Sequence, residues 1–105
     1  MTLNELYTAL SAICPLAYMV FLQPQNLPFM VYGSPSRDDF MADNEHYYKV
    51  TDYWLEYYSK QPDEIDKARI EGIFTQNKIS YSREGEQYID DQKMFICVYN
   101  FQLGE

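Results

Sequence analysis

Leu3, Leu6, Tyr7, Leu10, Ile13 and Cys14 recur at helical spacing, while Asn4, Glu5, Thr8 and Ser11 occupy the opposite side. Thr2 followed by Glu5 has the spacing of a capping box that opens this helix. Pro15 closes it, because the residue before a proline avoids the α region. Leu16–Leu22 is a short apolar run and reads as a strand. Phe29–Tyr32 reads as a second strand, stopped by Gly33-Ser34-Pro35-Ser36. The order and the connector through Pro24 predict that these two strands form a hairpin.

A polar, acidic stretch from Arg37 to Glu45 follows and reads as a loop. His46–Ser59 then alternates as a long strand with rings on both pleat faces. Tyr48, Val50, Trp54 and Tyr58 share one face, and Tyr47, Tyr53, Leu55 and Tyr57 the other. Such a strand is either central in its sheet or covered by another subunit. Pro62-Asp63-Glu64 opens a second helix, with acids near its positive end, and Asn77 is its expected left-handed stop. Gly72 weakens that helix, and close packing on the sheet is the expected reason. Ile79–Ser82 reads as a short strand turned by Glu84-Gly85-Glu86, with Asp90-Asp91 extending an acidic loop. Gln92–Leu103 is the last strand, with Phe95, Cys97, Tyr99 and Phe101 on one face and Met94, Ile96 and Val98 on the other. The sum is one α+β domain over residues 1–105: a mostly antiparallel sheet of about five strands with two helices packed on one face.

Composition sharpens this picture in two places. Eleven tyrosines and six phenylalanines are many for 105 residues. Tyrosine fills half-buried strands, and it also suits interfaces. A net charge of −8 opposes binding to phosphate backbones and to anionic membranes. No basic residue precedes Arg37, so no secretory signal is expected, and Ala12–Leu22 is too short to span a bilayer. A cytoplasmic origin is therefore expected. Cys14 and Cys97 sit among apolar neighbours and read as buried, reduced thiols.

Catalytic and metal-binding patterns are thin. His46 is the single histidine, and with Asp43 and Glu45 it reads as a solvated polar turn rather than a metal site. Asp38, Asp39 and Asp43 lack the glycine and closing glutamate of a calcium loop. Gly33-Ser34-Pro35-Ser36 lacks the second glycine of a nucleophile elbow. Four dispersed glycines build no phosphate cradle. No catalytic residue, metal or cofactor is expected.

Several stretches resemble the small tail-completion and head–tail joining proteins of long-tailed bacteriophages, tail terminators among them. They are Pro28–Tyr32, Phe40–Asn44, Lys49–Tyr58, Pro62–Phe74, Tyr88–Asp91 and Met94–Leu103. The resemblance rests on this ordered set and not on a single motif. It implies a non-enzymatic virion protein that forms a ring, commonly a hexamer, at the end of the tail tube, stops tail growth and joins tail to head. The implied partners are other copies, the tail tube protein and head connector proteins, with DNA passing through the lumen and no membrane. The implied location is the virion tail, assembled in the host cytoplasm. In that frame Tyr47, Tyr48, Tyr53, Trp54, Tyr57 and Tyr58 are the expected contacts with self or tube. Asp38, Asp39, Asp43, Glu84, Glu86, Asp90 and Asp91 are the expected lumen or docking loops, where they would repel DNA phosphates. A neighbouring head–tail adaptor fits the same features. From other classes, an acidic DNA-mimic inhibitor of a nuclease and a tyrosine-lined ligand cleft are the rivals.

Overall fold

A computed structural model of the chain describes residues 1–34 and 50–104. The elements are α1 (Leu3–Ser11), β1 (Leu16–Tyr18), β2 (Phe29–Gly33), β3 (Val50–Ser59), α2 (Glu64–Gln76), β4 (Ser80–Ile89) and β5 (Met94–Gly104). The strands form one sheet in the order β1-β2-β3-β5-β4. The fold is α+β, with a mixed sheet that is mostly antiparallel.

The capping box at α1 is complete. Thr2 N–H donates to Glu5 Oε1 at 2.8 Å, and Glu5 N–H donates to Thr2 Oγ1 at 3.1 Å. Leu6 and Leu10 face the core. At α2 the Asp63 carboxylate accepts from the N–H groups of Ile65 and Asp66 at 3.0 and 3.2 Å, satisfying two otherwise unpaired donors. The far end is a Schellman closure. Ile79 N–H donates to the Phe74 carbonyl and Lys78 N–H to that of Thr75. The left-handed residue there is Lys78 (φ 58°), one position beyond the expected Asn77, which stays at φ −101°.

The core lies between the helices and one sheet face. Met30, Leu55, Tyr57, Cys97, Tyr99, Phe101 and Leu103 meet Leu6, Leu10, Ile70 and Phe74. The alternation in β3 and β5 places residues as the pleat requires: Tyr53, Leu55 and Tyr57 point to the helices, and Trp54, Glu56 and Tyr58 point away. The strand β3 is central, and that accounts for rings on both of its faces.

Three expectations are corrected. First, β1 and β2 are parallel, pairing Leu16 with Met30 and Tyr18 with Tyr32, so they are no hairpin. Met19 adopts φ 68° and ends β1 early, and the chain returns through residues 19–28 to start β2 beside Pro15, whose carbonyl accepts from Met30 N–H at 2.8 Å. Second, Glu84-Gly85-Glu86 is no turn. The strand β4 runs through it with a register shift between Arg83 and Gly85, where Gly85 (φ 143°) takes the strained position of a bulge. The reversal comes later, at Asp90–Lys93. Third, Gly72 meets no sheet atom among the described residues; a Cβ there would have none of them within 4 Å outside its own helix backbone.

Candidate interaction surface

The registers define the second face of the sheet residue by residue. Phe29 is paired with Tyr58, Val31 with Glu56 and Gly33 with Trp54 across β2 and β3. Trp54 is paired with Asn100, Glu56 with Val98 and Tyr58 with Ile96 across β3 and β5. Since directly opposite residues share a face, Phe29, Val31, Trp54, Tyr58, Ile96 and Val98 form one largely apolar field around a single carboxylate, Glu56, which lies between Val31 and Val98. Both helices pack on the other side, and none of these six belongs to the core cluster. No described helix lies over them. Phe29, Trp54, Tyr58, Ile96 and Val98 are half-buried, and Val31 is buried.

The field has internal order. The Phe29 and Tyr58 rings stack with centroids 4.9 Å apart, and Phe21 meets Phe29 edge-on at 5.6 Å. Tyr58 Oη donates to Glu56 Oε1 at 2.8 Å. Burial, then that hydrogen bond, pushes the Tyr58 phenol well above its ordinary pKa, so it stays a neutral donor. Gln102 Nε2 donates to Asp52 Oδ1 at 2.7 Å and holds the polar end of the face. Beside the β2 end, residues 19–25 border a shallow open groove lined by Met19, Phe21, Leu22, Phe29, Val31 and Tyr58. Leu22 at its rim is 96% exposed, and Tyr18, Met19 and Val20 are more than half exposed.

The expected interface residues divide. Trp54 and Tyr58 lie on the open face. Tyr53 and Tyr57 are corrected: they are buried on the helix side, at 8% and 0% exposure, and belong to the core of the chain itself. The Tyr57 hydroxyl is satisfied by Asp66 Oδ2 at 2.7 Å. Tyr47 and Tyr48 lie outside the described residues, as do Asp38, Asp39 and Asp43.

The expected acidic loops divide as well. Asp90 and Asp91 do lie in an exposed turn. Glu84 and Glu86 are corrected to strand positions. Glu84 accepts from the Ser82 hydroxyl. Glu86 pairs with the buried Lys67 ammonium at 2.6 Å, which Glu64 also approaches at 3.1 Å. Next to them Arg83 Nε donates to Glu71 Oε2 at 2.8 Å, and the Tyr99 hydroxyl donates to the same oxygen at 2.8 Å. This charged seam joins α2 to β4 and β5 and was missed in the sequence. Its only signal was Lys67, Glu71 and Phe74 at helical spacing, with a lysine where a core residue belongs.

Both cysteines are buried free thiols, and burial, followed by the Asp66 charge, pushes the Cys14 thiol up to about 12. Among the described residues, no three His, Cys, Asp or Glu side chains gather to hold a metal, and no helix is long and apolar enough to cross a membrane.

No family model matches the chain, and no curated protein matches it. A crystal structure from Akkermansia muciniphila is similar to it at TM-score 0.53 and 8% identity, over 96% of this chain. The chain spans 45% of that larger one, and the likeness is one of fold alone.

Proposed function

We propose that this chain is a non-enzymatic assembly subunit and that the open face of its sheet is the surface by which it meets a neighbouring protein. The observation that carries this is the field of Phe29, Val31, Trp54, Tyr58, Ile96 and Val98 on a face that no described helix covers. Apolar side chains gathered on a sheet face around one carboxylate suit an interaction site, and Trp and Tyr dominate interface energetics. The pinned rings of Phe29 and Tyr58 add pre-organisation, which lowers the cost of docking.

The biological setting we propose is the one the sequence resembles. The chain would join a ring at the end of a phage tail tube, end tube growth and connect tail to head, in the virion tail. Its partners there would be other copies, the tail tube protein and the head connector. Asp90 and Asp91, exposed in the β4–β5 turn, remain suited to a surface that repels DNA.

Incubation with purified tail tubes tests this. Negative-stain images should show a ring at one tube end, and further tube polymerisation should stop. The Ile96→Lys and Trp54→Asp variants, if folded by circular dichroism, should lose both effects. Tubes that stay bare and keep growing with the wild-type chain would end the phage reading. Variants that cap as well as wild type would end the open-face reading.

A further inference from the structure

The outer strand β4 presents ten residues whose free edge is unpaired among the described residues, since β4 pairs with β5 alone. Long exposed edges are sites of strand addition, and charges and bulges normally blunt them. Here the charges and the bulge have an order of their own. The register with β5 puts Tyr81, Arg83, Glu86 and Tyr88 on the helix side of the sheet and Ser82 and Gln87 on the open side. The extra bulge residue keeps that parity symmetric about the Glu84–Gly85 bond. Reversed on itself about that bond, the strand places Arg83 opposite Glu86, Tyr81 opposite Tyr88 and Ser82 opposite Gln87. Every such pair shares a face. Shifting the register by one residue sets helix-side against open-side residues, and shifting it by two sets Arg83 against Glu84 or Tyr88.

We propose that β4 pairs antiparallel with β4 of a second copy, about a two-fold axis that passes midway between the two copies of the Glu84–Gly85 bond, giving a continuous ten-stranded sheet. The occupant follows from charge complementarity. Arg83, already anchored on Glu71, meets the Glu86 carboxylate that Lys67 holds in the partner copy. Tyr88, 49% exposed and packed on Phe95, meets Tyr81 and continues the Tyr81–Tyr99–Phe74 ring cluster. The contact is isologous and closes at two copies. It uses neither the open face nor the phage setting, so it stands or falls separately.

Sedimentation equilibrium of the intact chain should give twice the 12.5 kDa mass at high micromolar concentration. Ser82 and Gln87 are exposed and lie outside the core cluster, so changing them should leave the fold intact. The Ser82→Glu/Gln87→Glu variant sets like charges opposite twice and should dimerise about tenfold more weakly, while Ser82→Lys/Gln87→Glu should dimerise at least as well as wild type. The register is read by disulfide trapping. Ser82→Cys/Gln87→Cys should cross-link between copies, because the two positions lie roughly 17 Å apart within one strand and directly opposite each other across the axis. Either single cysteine should not. A chain that is monomeric at every concentration, a dimer indifferent to the charge variants, or single-cysteine cross-linking as efficient as the double would overturn the proposal.

Discussion

The Lys67 ammonium lies 2.6 Å from Glu86 Oε2 while the lysine side chain is wholly buried, so the edge strand β4 is fastened to α2 by a buried charge. Glu64 adds a second contact at 3.1 Å. Removing one member of a buried pair strands the other, but Glu86 retains 28% exposure and can rehydrate. The methylene stem also fills core volume. Lys67→Ala should therefore cost about 2–4 kcal/mol, from the cavity and the lost pair together. Lys67→Met keeps the stem and should cost about 1 kcal/mol. Urea unfolding measures both. Equal losses would show that the stem contributes nothing.

Acid should weaken the same seam. Burial works to raise the Glu71 carboxyl, but hydrogen bonds from Arg83, Tyr99 and Tyr81 outweigh it and its pKa lies below the usual 4.5. The Lys67 hydrogen bond likewise lowers Glu64. A carboxyl whose folded pKa is depressed contributes stability that is present above its unfolded pKa and lost as pH falls through the folded one. The urea midpoint should hold above pH 4.5 and decline below it. Glu71→Gln should flatten that decline and lower the neutral-pH plateau. An unchanged acid slope in Glu71→Gln would place the acid sensitivity elsewhere.

Gly72 offers a gain. It sits inside α2 with no described residue within 4 Å of where a Cβ would be, its own helix backbone aside, and its backbone is helical. Gly72→Ala should stabilise the chain by about 0.5–1 kcal/mol, through propensity and a less flexible unfolded chain. A rise in thermal midpoint checks it, and a fall would mean that the glycine meets something outside the described residues.

These cases show where sequence reading succeeds. The period-2 alternation of Tyr53, Leu55, Tyr57 against Trp54, Glu56, Tyr58, and of Cys97, Tyr99, Phe101 against Ile96 and Val98, fixes both faces of β3 and β5, because a one-residue slip would invert them. Capping chemistry at Thr2–Glu5 and Asp63 is equally local and equally legible. The pairing of β1 with β2 is not local. It depends on a positive φ at Met19, which its side chain gives no reason to expect. Glu84-Gly85-Glu86 misleads because an exposed edge accepts the same polar residues as a turn. The interface reading went astray at Tyr53 and Tyr57 because ring content alone does not say which face the helices take.

Gly33 and Trp54 allow the open face to be probed directly. Glycine weakens a strand, so its place in β2 needs a reason, and the reason is the indole lying against it. A Cβ on Gly33 would lie 2.8 Å from Trp54 Cε2 and 2.7 Å from Met19 Sδ, and closer still to Trp54 Cζ2. The methionine end can swing aside, but the ring is stiff and must lift away from the sheet. Gly33→Ala should therefore cost about 1–3 kcal/mol. Trp54 is the single tryptophan, so its emission reports the movement, and the spectrum should shift to the red as the ring gains water. In a Trp54→Leu background the obstacle is gone, and the same glycine substitution should cost about 0.5 kcal/mol or less. A non-additive cycle with the red shift ties the glycine to the indole; an additive one would mean that Gly33 is required for its backbone alone. Because the lifted ring also roughens the surface proposed to dock, Gly33→Ala should weaken capping of tail tubes even at temperatures where the chain stays folded.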